Sequence, residues 1–414
     1  MRGGIAISIT MLCGCGARSE LDVPELPPDP PCTESFGALA AERCDPVEAR
    51  DASAGFESLN PVWIASFGCD GVAVFTAGAA GSGVHVSSDG GASFGPARLL
   101  PDDALIPHRG WPQNAPIAVS GDGTIFVLVE EGERLAVRRS DDFGETWEPP
   151  VDVGETHERA WGASLLARGE EVTSYWLVLG EGPALARSRD RGESFEAPIA
   201  LGPGIVESSH SYPTVCHAGA SGIVAGWLDC TAPDCSGMDR MGTGLGRIAV
   251  SSGGAFRDGV VFEVDNSSWN RPVVGCSDGG RALAGWSSAP YLGPGELIVA
   301  SIDACGRATE TFRHDGGADH YNAPGSPVFS AGGDGALMRW RLEWDHGSGV
   351  AALDERSELA AAVIDPDYDG DGMFELPVDS CALQEGYAVI ALTAHPRGGA
   401  GWESGGDLVL AHLG

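Results

Sequence analysis

An all-β fold is predicted by three features of the sequence. Apolar residues occur in short runs of strand length, many with period-2 alternation, and none has the span or periodicity of an amphipathic helix. Glycine accounts for 61 of 414 residues, which suits short strands joined by many tight turns. The runs come in sets of three, and successive sets are spaced by about 44 to 59 residues, the interval of a repeated supersecondary unit.

Three sets run into one eight-residue pattern: Ser140, Asp142, Gly144, Thr146 and Trp147; Ser87, Asp89, Gly91, Ser93 and Phe94; Ser188, Asp190, Gly192, Ser194 and Phe195. The chemistry is that of a hairpin turn. Hydroxyl and carboxylate bond turn amides, glycine takes a positive φ, and the aromatic plugs into the sheet. The pattern resembles the Asp-box, or BNR repeat, of the sialidase superfamily, whose members are β-propellers. The resemblance implies four-stranded blades, with the box structural and on the face opposite the active site.

Taken in order, the sets before the boxes are Val62–Phe67, Val72–Ala77 and Gly83–Val86; Ile117–Ser120, Thr124–Val129 and Leu135–Arg138; and Trp161–Ala167, Ser174–Leu179 and Ala184–Arg187. Thr214–Ala218, Gly222–Trp227 and Gly246–Val250 lead to Ser251–Phe256, a decayed box without its Asp. Val273–Cys276, Ala282–Trp286 and Leu297–Ala300 lead to Ser301 and Asp303, another decayed copy. The sixth set is Val328–Ala331, Ala336–Arg341 and Gly349–Leu353, and the seventh is Val378–Leu383, Tyr387–Thr393 and Asp407–His412. Pro61, Pro116, Pro213, Pro272, Pro327 and Pro377 mark the starts, with Ala160 in the gap. Seven first strands give seven blades; six, as in sialidases, requires one set to be an insertion. The seventh set lacks a fourth strand, and Asp45–Arg50 upstream of the first set is expected to supply it, joining the termini and removing a free edge.

The charge balance narrows the partners. The chain has 25 Arg and no Lys against 59 Asp plus Glu, a formal net charge of −34. That argues against nucleic acid and anionic membrane surfaces as partners, since both need basic patches.

The N-terminus reads as an export signal: Arg2, the apolar run Ile5 to Leu12, then Leu12-Cys13-Gly14-Cys15. That tetrapeptide resembles the bacterial lipobox, which implies a signal peptide over residues 1–14 and lipidation of Cys15. Gly16 after it implies an outer-membrane lipoprotein, facing periplasm or exterior. Residues 15–43 form a tether rich in proline (Pro24, Pro27, Pro28, Pro30, Pro31), and 44–414 the propeller. Leaving out Cys13 and Cys15, nine of the 11 cysteines remain, an odd number for an oxidising compartment. Cys230 and Cys235 are expected to form a small disulfide loop, and Cys32 with Cys44 is a weaker expectation. Cys69, Cys216, Cys276, Cys305 and Cys381 have no pairing legible from sequence, and their spacing does not suit zinc.

Two places carry chemistry. Asp367, Asp369, Asp371, the carbonyl of Met373 and Glu375 offer alternate oxygen ligands around a Gly turn, the arrangement of a structural calcium loop. It resembles the Asp-x-Asp-Gly-Asp-Gly loop of integrin-type calcium repeats, and the ion is expected to stiffen the start of the seventh blade. The second place is dispersed over the loops that join one blade to the next and open on one face. They hold His108, Arg109, Trp111 and Asn114; His157, Glu158, Arg159 and Trp161; His210 and Tyr212; Trp269, Asn270 and Arg271; and His320, Tyr321 and Asn322. Aromatic rings beside planar hydrogen-bonding groups suit carbohydrate or peptide recognition.

A sialidase binds its substrate carboxylate with three arginines, the first in an Arg-Ile-Pro motif, and uses Tyr with Glu and an Asp. Here Pro61-Val-Trp-Ile has no Arg. Arg109, Arg159 and Arg271 would have to form the triad, with Tyr321 as nucleophile and Asp319 beside it. No Gly-x-Ser-x-Gly, His-Glu-x-x-His, P-loop or Rossmann fingerprint is present. The expectation is a monomeric, lipid-anchored propeller that binds a glycan or surface protein at its axial mouth without catalysis. A sialidase-like glycoside hydrolase is the alternative, and a structural envelope protein the third reading.

Overall fold

In a computed structural model, the described residues are 32–35, 52–53, 60–68, 71–78, 81–89, 93–104, 116–156, 160–178, 181–202, 213–229, 244–253, 255–264, 272–277, 279–288, 296–315, 328–332, 335–341, 348–353, 359–365, 374–383, 386–396, 402–403 and 408–413. Met1–Thr33 and Glu34–Gly414 are separate compact units, and every described strand belongs to the second. All regular structure among the described residues is β, so no helix there is long and apolar enough to cross a membrane.

The described strands form seven antiparallel sheets in chain order. The first joins Asn60–Phe67, Gly71–Gly78, Gly81–Ser87 and Arg98–Leu99. The second joins Ile117–Val119, Ile125–Glu131, Arg134–Ser140 and Val151–Thr156. The third joins Ala160–Arg168, Glu171–Val178, Gly182–Ser188 and Ile199–Ala200. The fourth joins Thr214–Ala218, Gly222–Asp229, Gly244–Ser252 and Arg257–Val264. The fifth joins Val273–Cys276, Ala282–Ser288, Glu296–Ile302 and Ala308–Asp315. The sixth joins Val328–Gly332, Gly335–Arg341, Ser348–Leu353 and Leu359–Asp365.

The seventh sheet differs. Phe374–Leu383, Gly386–Pro396 and Leu408–Leu413 pair in turn, and Ala52–Ser53 pairs with Leu408–Leu413, Ala52 opposite Leu410. The upstream strand therefore lies just beyond Asp45–Arg50, the segment expected in this role, which is outside the described residues. A short strand, Trp402–Glu403, also pairs with Gly386–Pro396, and no apolar run in the sequence signals it. The first strand of each sheet lies beside the first strand of the next, and that of the seventh lies beside that of the first.

The packing follows from strand geometry. Side chains alternate faces, and here both faces are covered. In the second sheet Ile125, Val127 and Val129 pack with Trp63, Phe75 and Val84 of the first, whereas Phe126 and Leu128 pack with Leu165 and Trp176 of the third. In the third sheet Tyr175 and Leu177 turn the other way, onto Ile223 and Trp227 of the fourth. The fourth and fifth meet through Val224, Val250, Val274 and Ala284. Two buried faces explain why these strands read as continuous apolar runs.

Polar and covalent links cross one seam as well. Thr214 Oγ1 donates to Pro272 O (3.2 Å) and accepts from Val274 N (3.1 Å), tying the first strands of the fourth and fifth sheets. Cys216 and Cys276, left unpaired by the sequence, form a disulfide between those same strands, with Cα atoms 5.5 Å apart and a sequence separation of 60. Of the pairings read from sequence, Cys230, Cys235 and Cys44 lie outside the described residues.

A bridge closing a loop of that length restricts the unfolded chain. Cys216→Ala with Cys276→Ala is expected to lower unfolding stability by about 4 kcal/mol, read from urea melts without reductant. Melts that coincide with the native protein's would show that the bridge contributes nothing.

Candidate functional site

In an antiparallel four-stranded sheet, the turn from third to fourth strand lies at the opposite end from the connection to the next sheet. The repeated turn motif and the recognition loops are thereby separated.

The motif end is built alike three times. Ser140 Oγ donates to Asp142 Oδ1 (2.8 Å) and accepts from Gly144 N (2.7 Å); Asp142 accepts from Thr146 N (2.8 Å) and Thr146 Oγ1 (2.6 Å). Ser188, Asp190, Gly192 and Ser194 repeat this network, and Ser87, Asp89 and Ser93 repeat its carboxylate half. These bonds, led by those from Thr146 and Ser194 respectively, pull both Asp142 and Asp190 down to about 2. The motif aromatic does not stay within its own sheet: Trp147 packs into the seam with the first sheet, Phe195 into the seam with the second.

The residue after the Asp is the part sequence reasoning missed. Phe143 and Arg191 both sit at φ 59°, a left-handed conformation costly for a side chain. Each reaches the preceding sheet. Phe143 meets Phe67 with ring centroids 5.4 Å apart, and Arg98 donates to the carbonyls of Asp142 (3.0 Å) and Phe143 (3.1 Å). Arg191 donates to Asp122 Oδ2 (2.6 Å) and Thr124 Oγ1 (2.8 Å). A Cβ at Gly123 would fall 2.5 Å from the Phe143 ring, so glycine there admits the contact. Where the fourth sheet's turn lacks its Asp, Glu34 supplies a carboxylate nearby, accepting from Ser252 (3.0 Å) and both terminal guanidinium nitrogens of Arg257 (3.0 and 2.8 Å).

At the other end, Trp161 is the one recognition residue that the described part of the chain contains. It is 41% exposed, unlike the aromatics buried in the seams. A β-bulge between Trp161 and Ser164, with Gly162 at φ 58°, sets it at the start of the third sheet's first strand. The first strands of the first and seventh sheets shift register at the same end, at Pro61/Trp63 and Pro377/Asp379. Bulges re-aim side chains and concentrate beside functional sites. Ala104, the last described residue before the segment with His108, Arg109, Trp111 and Asn114, bridges to Val129, while Asp103 pairs with Arg138 at 3.1 Å.

Those four residues, together with His157, Glu158, Arg159, His210, Tyr212, Trp269, Asn270, Arg271, Asp319, His320, Tyr321 and Asn322, lie outside the described residues, as does Cys15. So do Asp367, Asp369, Asp371 and Met373 of the calcium loop; Glu375 stands in the first strand of the seventh sheet, its backbone opposite Thr393.

Among the first strands of the first six sheets lies a partly open cavity of about 300 Å³. Trp63, Ile117, Leu165, Val215, Val274 and Phe329 each contribute to it from a different sheet. None of its lining side chains among the described residues is charged.

A polar cluster is buried at the seam of the third and fourth sheets. His217 shares a hydrogen bond with Thr173 Oγ1 (2.9 Å), and Arg187 pairs with Glu171. Burial first, then Arg168 and Arg187, hold the His217 imidazole down at about 3.

No family model matches the sequence, and no curated protein matches it. Solved structures do match in fold. An ulvan lyase, a polysaccharide lyase bound to a GlcA(1-4)Rha3S saccharide, is 8% identical, over 88% of this chain and 96% of that one, with a TM-score of 0.53. The Dos1 propeller is 12% identical over 89% and 95%, TM-score 0.49. A virginiamycin B lyase from Staphylococcus aureus is 12% identical over 88% and 99%, TM-score 0.48. The ulvan lyase match supports the fold, and the chain has an all-β, propeller-like architecture. At such identities the likeness concerns fold alone.

The His217 environment has a consequence for stability. Its folded pKa lies below the ordinary value near 6.5, so the unfolded chain takes up a proton that the folded one refuses. The contribution is complete above about pH 6.5 and is lost as pH falls toward 3. His217→Gln, which can keep the bond to Thr173, should flatten the decline in urea-melt stability between about pH 6.5 and 4. An unchanged pH profile would remove His217 as its source.

Proposed function

We propose that the chain is a seven-bladed Asp-box propeller, anchored by lipid at Cys15 on the bacterial envelope, that binds a glycan or surface protein at its axial mouth without catalysis. The observation that carries the binding reading is Trp161, exposed on a bulged strand at the end of the third sheet remote from the turn motif. An exposed indole offers a flat apolar face and one donor, which suits a sugar ring or a peptide. Seven sheets, first strands that neighbour one another in sequence order, and the pairing of Ala52–Ser53 with Leu408–Leu413 support a closed ring of seven blades.

The disulfide between Cys216 and Cys276 supports an oxidising compartment, in keeping with export by the N-terminal segment. Calcium at Asp367, Asp369, Asp371, Met373 and Glu375 is proposed as a structural ion. The turn carboxylates Asp142 and Asp190 are each committed to three amide or hydroxyl donors of their own turn, which supports a structural role for the motif.

The test is a glycan array probed with the domain from Cys32 onward, with calcium and again with EGTA, then reprobed for trimmed sugars. Binding is expected without trimming, and Trp161→Ala should weaken it at least tenfold with an unchanged melt. Trimming would favour the hydrolase; undiminished binding by Trp161→Ala would move the site elsewhere.

A further inference from the structure

We infer that the cavity among the first strands is a binding site for a small, uncharged, mainly apolar molecule carrying at most one or two hydrogen-bonding groups. This does not depend on what binds at the mouth.

The lining sets the chemistry. Trp63, Ile117, Leu165, Val215, Val274 and Phe329 present apolar side chains from six sheets, and no charged group among the described lining residues stands ready to pair with an ion. An unpaired ion taken into such surroundings is strongly disfavoured. Two lining residues carry hydroxyls, Thr214 and Tyr175, and that of Thr214 is already engaged with Pro272 O and Val274 N. Each first strand stands at the end of its sheet, so one backbone edge has no strand partner within that sheet. Such edges can accept from, or donate to, a single hydroxyl or carbonyl.

The volume sets the size. About 300 Å³ is roughly twice the ~150 Å³ apolar cavity that takes up benzene. It suits two fused rings or a chain of about ten carbons. The wall is held in place around it. A Cβ at Gly275 would fall 2.3 Å from the Cβ of Phe329, so only glycine permits this approach of the fifth and sixth sheets. The Cys216–Cys276 bridge fixes the fourth against the fifth on the same strands.

The experiment is a titration of the full chain with 2-naphthol, an uncharged fluorescent bicyclic alcohol, alongside 2-naphthalenesulfonate, its charged counterpart, at pH 7. We expect saturable one-to-one binding of 2-naphthol and at least tenfold weaker binding of the sulfonate. Ala65→Phe and Ala167→Phe, which add a ring from two different sheets of the lining, should each raise the 2-naphthol Kd at least tenfold wherever the far-ultraviolet spectrum stays native. Non-saturable uptake of 2-naphthol, equal binding of the sulfonate, or natively folded variants with unchanged Kd would each overturn the proposal. The comparison of the two probes on the native chain decides it even if neither variant folds.

Discussion

A sheet with two apolar faces cannot stand alone. In the second sheet Ile125, Val127 and Val129 on one face and Phe126 and Leu128 on the other are all fully buried, so neither face could be left to water. Burial of one such side chain is worth about 1.5–3 kcal/mol, and a neighbour on each side is the condition for collecting it. Each neighbour then has a second face of its own, and the same requirement passes on to Trp176 and Tyr175 in the third sheet and Trp227 in the fourth. The arrangement of successive sheets follows from that one requirement.

Apolar faces alone would allow sheets to slide on one another, and the turn motif limits this. Its Ser and Asp shape the turn, while its aromatic and the residue after Asp act outward, on the sheet before. The left-handed backbone at Phe143 and Arg191 is disfavoured by about 1 kcal/mol or more, and it is held because Phe67, Asp122 and Thr124 receive those side chains while Arg98 donates to the carbonyls of Asp142 and Phe143. The motif thus spends its polar groups on structure at one end, leaving the opposite end free to vary. Trp161, exposed where the seam aromatics are buried, belongs to that opposite end.

The fold was largely legible in the sequence because its signals are local. Strand runs, turn glycines and the spacing of Ser, Asp and Thr all act within one hairpin, and the sheets begin within a few residues of where the apolar runs do. What acts between sheets was not legible. Nothing in the local pattern pairs Cys216 with Cys276, since they meet only once two sheets pack. Phe143 and Arg191 occupy a position the pattern leaves open, and their partners lie 67 to 76 residues earlier for Arg191–Thr124 and Phe143–Phe67. Arg139, Asp141 and Arg191 form a linked charge network across that same seam, again visible only in three dimensions. Of the recognition residues, Trp161 alone can be placed, and its exposure depends on a bulge that the sequence marks only by Gly162.

If the turns clamp one sheet to the next, neighbouring sheets open as one cooperative unit. Hydrogen exchange of the native chain and of Arg191→Ala, followed by mass spectrometry, tests it most directly. Arg191 belongs to the third sheet's turn, but its side chain donates to Asp122 and Thr124 of the second. Faster exchange is expected in both sheets, over 117–140 and 160–188 together. Acceleration confined to the turn at 188–195 would contradict it.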